Sequence, residues 1–155
     1  MDSLLSMLAE YHTITRRELR ALLCGQISTD ERQSLKNGSD GLVISVHNRK
    51  TIIRMIEDTF PYEADNEPVD VSQVISLIQA LQSYLNKYMA DKPEGHRWIT
   101  ICCIYLSMVA HEPLHPREAA HWEWDGGVGE YRCRFREDVE GSICRWCRCI
   151  PVKEL

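Results

Sequence analysis

The sequence lacks any apolar run long enough to cross a membrane. Its longest apolar stretch, residues 98–110, is shorter than the ~20 residues that a membrane-spanning helix needs. The first residues also lack the basic start that is typical of a secretory signal peptide. We therefore expect a cytoplasmic protein with no segment inserted in a membrane.

An excess of positive charge is also missing. The 155 residues carry 18 Lys and Arg against 23 Asp and Glu, which gives a net charge of -5. A dedicated nucleic-acid binder usually shows a clustered basic surface. Residues 117–155 hold seven basic and eight acidic residues, so we expect no nucleic acid as partner. A nucleic-acid-binding zinc knuckle remains an alternative, and its candidate contacts are Arg132, Arg134, Arg136, Arg145 and Arg148.

The sequence has no phosphate loop, no cofactor fingerprint and no evident nucleophile–base pair. This pattern favours a protein that is not an enzyme and has no small-molecule substrate.

Residues 1–110 predict a helical bundle. Thr15 with Glu18 and Ser28 with Glu31 are capping boxes, which mark helix starts. Apolar spacing predicts helices over 42–60, 71–89 and 96–109, and the acidic stretch 62–68 is interpreted as a linker.

Residues 111–155 predict a Cys- and His-rich β-hairpin with a metal knuckle. Apolar and charged residues alternate on both sides of Gly126-Gly127, as in a hairpin. The fold class is therefore mainly α, with the hairpin and knuckle packed on the bundle as one compact domain.

Cysteines concentrate in this last part of the chain, which holds four of the seven. Cys144 and Cys147 form a CxxC pair, and a CxxC turn delivers two thiolates to one ion. Cys133 on the hairpin is the predicted third ligand. We expect Zn²⁺, with an iron–sulfur cluster as the alternative. Cys24, Cys102 and Cys103 lie in apolar helical contexts and are interpreted as small buried hydrophobes.

The fourth ligand has several candidates. We favour His115, because Pro113 and Pro116 bracket it and would fix the backbone there. Cys149 is the next candidate and could instead be a redox-active thiol beside the metal. His121 and His111 follow as further alternatives.

Residues 111–115 spell HExxH, the zinc motif of many metalloproteases. On this interpretation the chain would be a small zinc metalloprotease whose site contains His111, Glu112, His115 and His121. However, Pro113 between the two histidines disfavours the helix that the mechanism requires. We keep the protease as an alternative function only.

The stretch 112–147 also resembles the C-terminal signature of a family of small uncharacterised proteins of methanogenic archaea. The matching elements are Glu-Pro-x-His-Pro at 112–116, then Gly-Gly, then Tyr131-x-Cys133, then Cys144-x-x-Cys147. The resemblance implies a mostly helical protein with no assigned enzymatic activity, and it points to His115, Cys133, Cys144 and Cys147.

These features predict a non-catalytic accessory protein that binds a protein partner through the knuckle. Tryptophan and arginine are enriched at interface hot spots, so Trp122, Trp124, Trp146, Arg145 and Arg148 are the candidate contacts. The family resemblance implies a partner in methanogen energy metabolism, with the sodium-pumping membrane methyltransferase, met at its cytoplasmic side, as one candidate. A thiolate–metal site could respond there to oxygen or redox state.

Overall fold

The structure is a computed structural model, and it describes residues 2–38, 41–57, 62–114, 122–125, 127, 130–133 and 141–147. It is mainly helical. The α-helices, in chain order, are α1 Asp2–Leu8, α2 Arg16–Gly25, α3 Thr29–Asn37, α4 Val46–Glu57, α5 Tyr62–Asp65, α6 Val71–Tyr88 and α7 His96–Ile104. A π-helical segment, Tyr105–Ala110, continues α7, and 3₁₀ turns lie at Pro93–Gly95 and Cys144–Trp146.

In the described parts of the chain, two small antiparallel sheets accompany the helices. In the first, β1 Thr13–Thr15 pairs with β2 Pro68–Asp70. In the second, β3 Trp122–Asp125 pairs with β4 Glu130–Cys133, with Trp122 opposite Cys133. The predicted antiparallel hairpin is therefore confirmed.

Local capping explains where α2 and α3 begin. The Thr15 side chain accepts from the Glu18 N–H and the Glu18 carboxylate accepts from the Thr15 N–H, as the sequence predicted. Ser28 and Glu31 repeat this arrangement for α3. Each box satisfies two backbone donors that a helix start leaves unpaired.

The prediction of one helix over 42–60 was wrong at its start. Residues 42–45 are neither helix nor strand, and α4 begins at Val46. Ser45 stops the helix from extending further back, because its hydroxyl accepts from the Asn48 N–H at 3.1 Å in the manner of an N-cap.

The prediction of a plain linker over 62–68 was also wrong. The segment contains the short helix α5 and the start of strand β2. Ile14 and Val69 face each other across this sheet and are both buried, so apolar contact stabilises strands of only three residues.

The core lies between α6, α7 and the helices packed on them. The residues Ile101 to Val109 are all buried, so α7 and its π-helical continuation form the central element, as predicted. Cys102 and Cys103 are 1% and 5% exposed, which confirms them as buried residues. No helix in the described parts of the chain is both long and apolar enough to span a bilayer.

Candidate metal centre

The CxxC pair lies on a tight turn that packs against the bundle. Cys144–Trp146 is a 3₁₀ turn, and the Cys147 N–H donates to the Cys144 carbonyl at 3.0 Å. Ile143 and Trp146 are partly buried against the core. The turn brings the backbones of the two cysteines together, as in a CxxC motif that contributes two thiolates to a metal.

Cys147 meets the loop that follows the central helix. The backbone N–H of Leu114 donates to the Sγ of Cys147 at 3.3 Å. A hydrogen bond from a backbone N–H stabilises negative charge on sulfur, and such contacts commonly surround metal-bound thiolates. Leu114 directly precedes His115 in the sequence, so the segments that carry two predicted ligands converge here.

A second contact ties this turn to the π-helical segment. Ser107, which is fully buried, donates from its hydroxyl to the carbonyl of Trp146 at 2.6 Å. The contact satisfies a hydroxyl that would be costly to bury alone. Ser107 was missed in the sequence, although it is a rare hydroxyl within a long apolar run.

The π-helical segment sets the direction of the loop after it. His111 follows it in the left-handed conformation, with φ 52° and ψ 53°. The N–H groups of both His111 and Glu112 donate to the carbonyl of Leu106. The helix therefore ends at Ala110, and the chain turns toward Cys147.

Two arginines from the bundle hold this loop. Arg54 donates to both carboxylate oxygens of Glu112, at 3.1 and 2.7 Å, and lies 5.6 Å over the Tyr105 ring. Arg16, 8% exposed, donates from Nε to the Val109 carbonyl at 2.6 Å. A cation at a helix C-terminus is favourable because the last carbonyls carry partial negative charge.

These contacts bear on the HExxH motif. Residues 111–114 are not helical, and Glu112 is engaged by Arg54. The protease mechanism needs both histidines on one helical face and the glutamate available as a base. The observed geometry at His111 and Glu112 differs from that requirement.

The other predicted ligands fall in less completely described parts of the chain. Cys133 ends strand β4, and its backbone position alone is described. His115, His121 and Cys149 lie outside the described residues. Among the residues that are described, no three His, Cys, Asp or Glu side chains come close enough together to hold a metal ion. Of the predicted ligands, Cys144 and Cys147 are the two whose side chains the structure describes, and the 3₁₀ turn that carries them suits thiolate ligation.

Of the predicted partner-binding residues, some have described side chains, some are placed by their backbones alone, and one is not described. Arg145 is exposed and its guanidinium carbon lies 4.4 Å over the Trp146 ring. Trp122 and Trp124 are placed by their backbones on β3, and Arg148 is not described. Arg145 and Trp146 line a cleft of about 340 Å³ between the turn and the bundle. Its other polar lining residues are Asp70, Gln73, Ser107 and His111.

The buried thiol of Cys103 also belongs to this region. Burial raises the pKa of Cys103 to about 12, and the nearby Cys147 adds to the increase. Cys103 was interpreted from the sequence as a small hydrophobe. Its burial is confirmed.

The class of protein that emerges is a helical bundle with a cysteine-bearing turn docked on its central helix. The chain is similar to the UPF0305 protein MJ0646 of Methanocaldococcus jannaschii, with 25% identity over 101 residues. The match covers 60% of this chain and 60% of that protein. It supports the predicted relationship to an uncharacterised family of methanogenic archaea, while the C-terminal signature stays a prediction. No family model matches the chain. No solved structure matches it either.

Proposed function

We propose that this chain is a non-catalytic accessory protein whose C-terminal part binds one metal ion and thereby forms a docking surface for a protein partner. The ligands are Cys144 and Cys147 from the 3₁₀ turn, Cys133 from the hairpin and His115 from the loop after the central helix. The single observation that carries the proposal is the Leu114 N–H donating to the Cys147 Sγ at 3.3 Å. It brings the backbone N–H of the residue before His115 onto the sulfur of Cys147.

Zinc suits this donor set best, because a closed set of three thiolates and one imidazole is a common structural zinc site. A structural metal ion contributes its binding free energy to folding when no other contact holds the ligand residues in place without it. The metal therefore holds the hairpin and the turn together on the bundle, and it has no open position for chemistry.

The partner contacts are Arg145 and Trp146 at the cleft, together with Trp122, Trp124 and Arg148. Arg145 is exposed and stacked on Trp146, and a stacked arginine loses less freedom when it binds. The similarity to a methanogen protein supports a partner from methanogen metabolism. The sodium-pumping membrane methyltransferase is one candidate. Oxidation of the thiolate ligands would release the metal and weaken docking, so binding of the partner would depend on the redox state.

The metal is tested by elemental analysis and absorbance of the full chain purified without oxygen. We expect one zinc per chain and no visible band, whereas a broad brown absorbance would replace zinc with an iron–sulfur cluster. Cys144→Ser should lose the metal. Cys24→Ser, which alters a half-buried cysteine on α2, is the matched control and should keep it. Equal metal content in the Cys144→Ser and Cys24→Ser variants would contradict the proposal.

Glu112→Gln separates this function from the protease alternative. It removes the candidate general base and should leave the zinc content unchanged.

Partner binding is tested by pull-down from native methanogen lysate with the wild type and with Arg145→Ala. We expect a specific partner that the variant retains more weakly.

A further inference from the structure

The cleft beside the CxxC turn follows one edge of the small sheet formed by β1 and β2. All three residues of β2, Pro68–Asp70, line the cleft, whereas no residue of β1, which is described in full, is among its lining residues. The other lining residues come from α6, the π-helical segment and its end, and the turn. In the described sheet, the cleft therefore lies beside the edge of β2 that no strand occupies.

The register of this sheet decides which backbone groups of β2 face the cleft. Two hydrogen bonds bracket the pairing, each from a backbone N–H to a carbonyl. They are Arg16 to Glu67 at 3.0 Å and Val71 to His12 at 3.1 Å. Hydrogen-bonded and non-hydrogen-bonded pairs alternate along an antiparallel ladder, so Val69, two residues from each bond, also directs its backbone groups toward β1. The backbone groups of Pro68 and Asp70 therefore point away from β1 and toward the cleft.

These two residues offer the cleft one acceptor and one donor. Pro68 has no N–H, so its carbonyl alone is available. Asp70 is the N-cap of α6, and the carbonyl of an N-cap residue accepts the first bond of its helix, which leaves the Asp70 N–H available. Within the described residues, neither the Pro68 carbonyl nor the Asp70 N–H has a hydrogen-bond partner.

One acceptor and one donor in this arrangement suit an incoming strand that runs parallel to β2. In a parallel pair, the N–H and the carbonyl of a single residue bond to the two neighbours of the residue beside it. One incoming residue beside Val69 can therefore bond to both the Pro68 carbonyl and the Asp70 N–H. An antiparallel strand would face the missing N–H of Pro68 and the occupied carbonyl of Asp70, which would leave two of its own groups unpaired.

The faces of β2 indicate the side chain of that incoming residue. Val69 is 8% exposed and points toward the core, whereas Pro68 and Asp70 are exposed on the other face. A residue beside Val69 in a parallel pair directs its side chain to the same face as Val69. The buried Met108 and the partly buried Trp146 line the cleft and belong to the core cluster or pack against it. The incoming residue is therefore apolar.

The charges at the cleft indicate the residues on either side of it. Arg145 is exposed and its guanidinium carbon lies 4.4 Å over the Trp146 ring, and a stacked guanidinium suits a planar carboxylate. The Asp70 carboxylate accepts from the N–H and the hydroxyl of Ser72 at 2.9 and 2.7 Å. It would repel an acidic residue that follows the apolar one. The acidic residue therefore precedes the apolar one and lies beside Pro68.

We propose that the cleft binds an extended segment of the protein partner, which adds to the sheet as a strand parallel to β2. The segment has the order acidic, apolar, neutral. Its apolar residue bonds to the Pro68 carbonyl and the Asp70 N–H, and its acidic residue pairs with Arg145. This strand addition rests on the partner docking of the proposed function and gives the chemistry that the partner presents.

Amide chemical shifts of the isotope-labelled, reduced full chain test the strand addition. The probe is the peptide Thr-Thr-Glu-Val-Thr-Thr, blocked at both ends. We expect millimolar binding, a downfield shift of the Asp70 N–H and slower exchange of its proton with solvent, because it gains an acceptor. The Thr13 N–H lies on the outer edge of β1 by the same alternation. It is the matched control and should not shift.

Altered peptides test the bonds and the direction of the strand. N-methylation of the valine removes the donor to the Pro68 carbonyl and should weaken binding by about fivefold. The peptide Thr-Thr-Thr-Val-Glu-Thr places the acid beside Asp70 in a parallel strand and should bind more weakly. Tighter binding of this second peptide would indicate an antiparallel strand and overturn the proposal, as would equal binding of the N-methylated peptide.

A variant of the chain tests the charge. Arg145→Ala should weaken binding of the first peptide by about threefold, the effect of one exposed ion pair. It should not affect a peptide with glutamine in place of the glutamate. Arg17→Ala, which removes an exposed cation on α2, is the control and should bind both peptides as the wild type does. The same loss for both peptides in Arg145→Ala would remove Arg145 from the recognition of the acid.

Zinc content separates this inference from the proposed metal site. If the Asp70 N–H does not shift in a chain that holds zinc, the strand addition is wrong and the metal site stands. If the peptides bind with the expected preferences to a chain that holds no zinc, the metal site fails alone. A shift of the Asp70 N–H that depends on protein concentration without peptide would assign the edge to a second copy of the chain and overturn the proposal.

Discussion

The hydroxyl of Ser107 donates to the carbonyl of Trp146 across 39 residues of sequence, at 2.6 Å. Ser107 lies in the π-helical segment and Trp146 in the turn of the CxxC pair. π-helical insertions occur often at functional sites. Here the insertion coincides with the contact between the core and the cysteine-bearing turn.

Ser107→Ala should loosen this turn. The Trp146 carbonyl would lose its donor, and we expect a loss of about 1 kcal/mol in the free energy of unfolding. Trypsin should also cleave faster after Arg145, because the turn opens more readily. Urea unfolding and a digestion time course measure the two effects. Ser76→Ala on the exposed face of α6 is the control, and identical behaviour of the two variants would contradict the prediction.

Arg16 should be more important for stability than its neighbour Arg17. The buried Arg16 side chain donates from Nε to the Val109 carbonyl and from Nη1 to the Glu67 carboxylate, the latter at 2.6 Å. Arg16→Met should cost about 2 kcal/mol of unfolding free energy, since it leaves a buried carbonyl without a charged donor. Arg17 is exposed, so Arg17→Met should change stability by less than about 0.5 kcal/mol. Denaturant unfolding of both variants tests the difference, and equal losses would refute it.

The ion pair of Glu31 and Arg97 should make part of the free energy of unfolding depend on pH in the acid range. Hydrogen bonds from Arg97, one of 2.9 Å, lower the pKa of Glu31 from 4.5 to about 2. Because the folded pKa is the lower one, the stabilisation is fully present above pH 4.5 and is lost as the pH falls toward 2.

Glu31→Gln isolates this contribution, because glutamine keeps the capping-box geometry. At neutral pH we expect the variant to be less stable by about 1 kcal/mol, a modest value because solvent screens the partly exposed pair. The gap between wild type and variant should close near pH 2. Urea unfolding from pH 2 to pH 7 measures it, and a gap independent of pH would show that the pair has no such role.

Two glycines at helix ends should respond in opposite directions. Gly38 follows α3 with φ 65°, a left-handed conformation that disfavours a side chain. Gly25 ends α2, and a Cβ added there would meet no atom within 4 Å. Gly38→Ala should lose about 1 kcal/mol of stability, whereas Gly25→Ala should gain up to about 1 kcal/mol. Thermal unfolding of the two variants compares them directly, and a stabilised Gly38→Ala would contradict the assignment.

Local rules recovered much of this architecture. The two capping boxes, the long helix α6, the buried α7 and the hairpin pairing were all predictable, because each depends on residues close in sequence. Helical spacing did not specify every buried position of α6: Tyr88 at its end is 41% exposed, whereas Leu77 in its middle is buried.

Other features had no local signature. Strand β2 contains Pro68 and pairs with a strand more than fifty residues earlier. The ion pair of Arg54 and Glu112 joins residues 58 apart. The sequence of the π-helical segment does not distinguish it from an α-helix, because its residues are apolar nearly throughout and suit the period of either helix.

The sequence by itself determined the long helices, the hairpin pairing and the CxxC turn, because short-range hydrogen bonds and apolar periodicity specify them, but it did not determine α5 or the start of α4. The tertiary structure alone decided which of these elements meet. Packing of the central helix brings Ser107 to the turn of Cys147. Arg54 and Arg16 hold the loop that leads to Leu114, whose N–H donates to the sulfur of Cys147. Such contacts form between residues far apart in sequence, and they depend on how whole faces of the bundle pack rather than on any local motif.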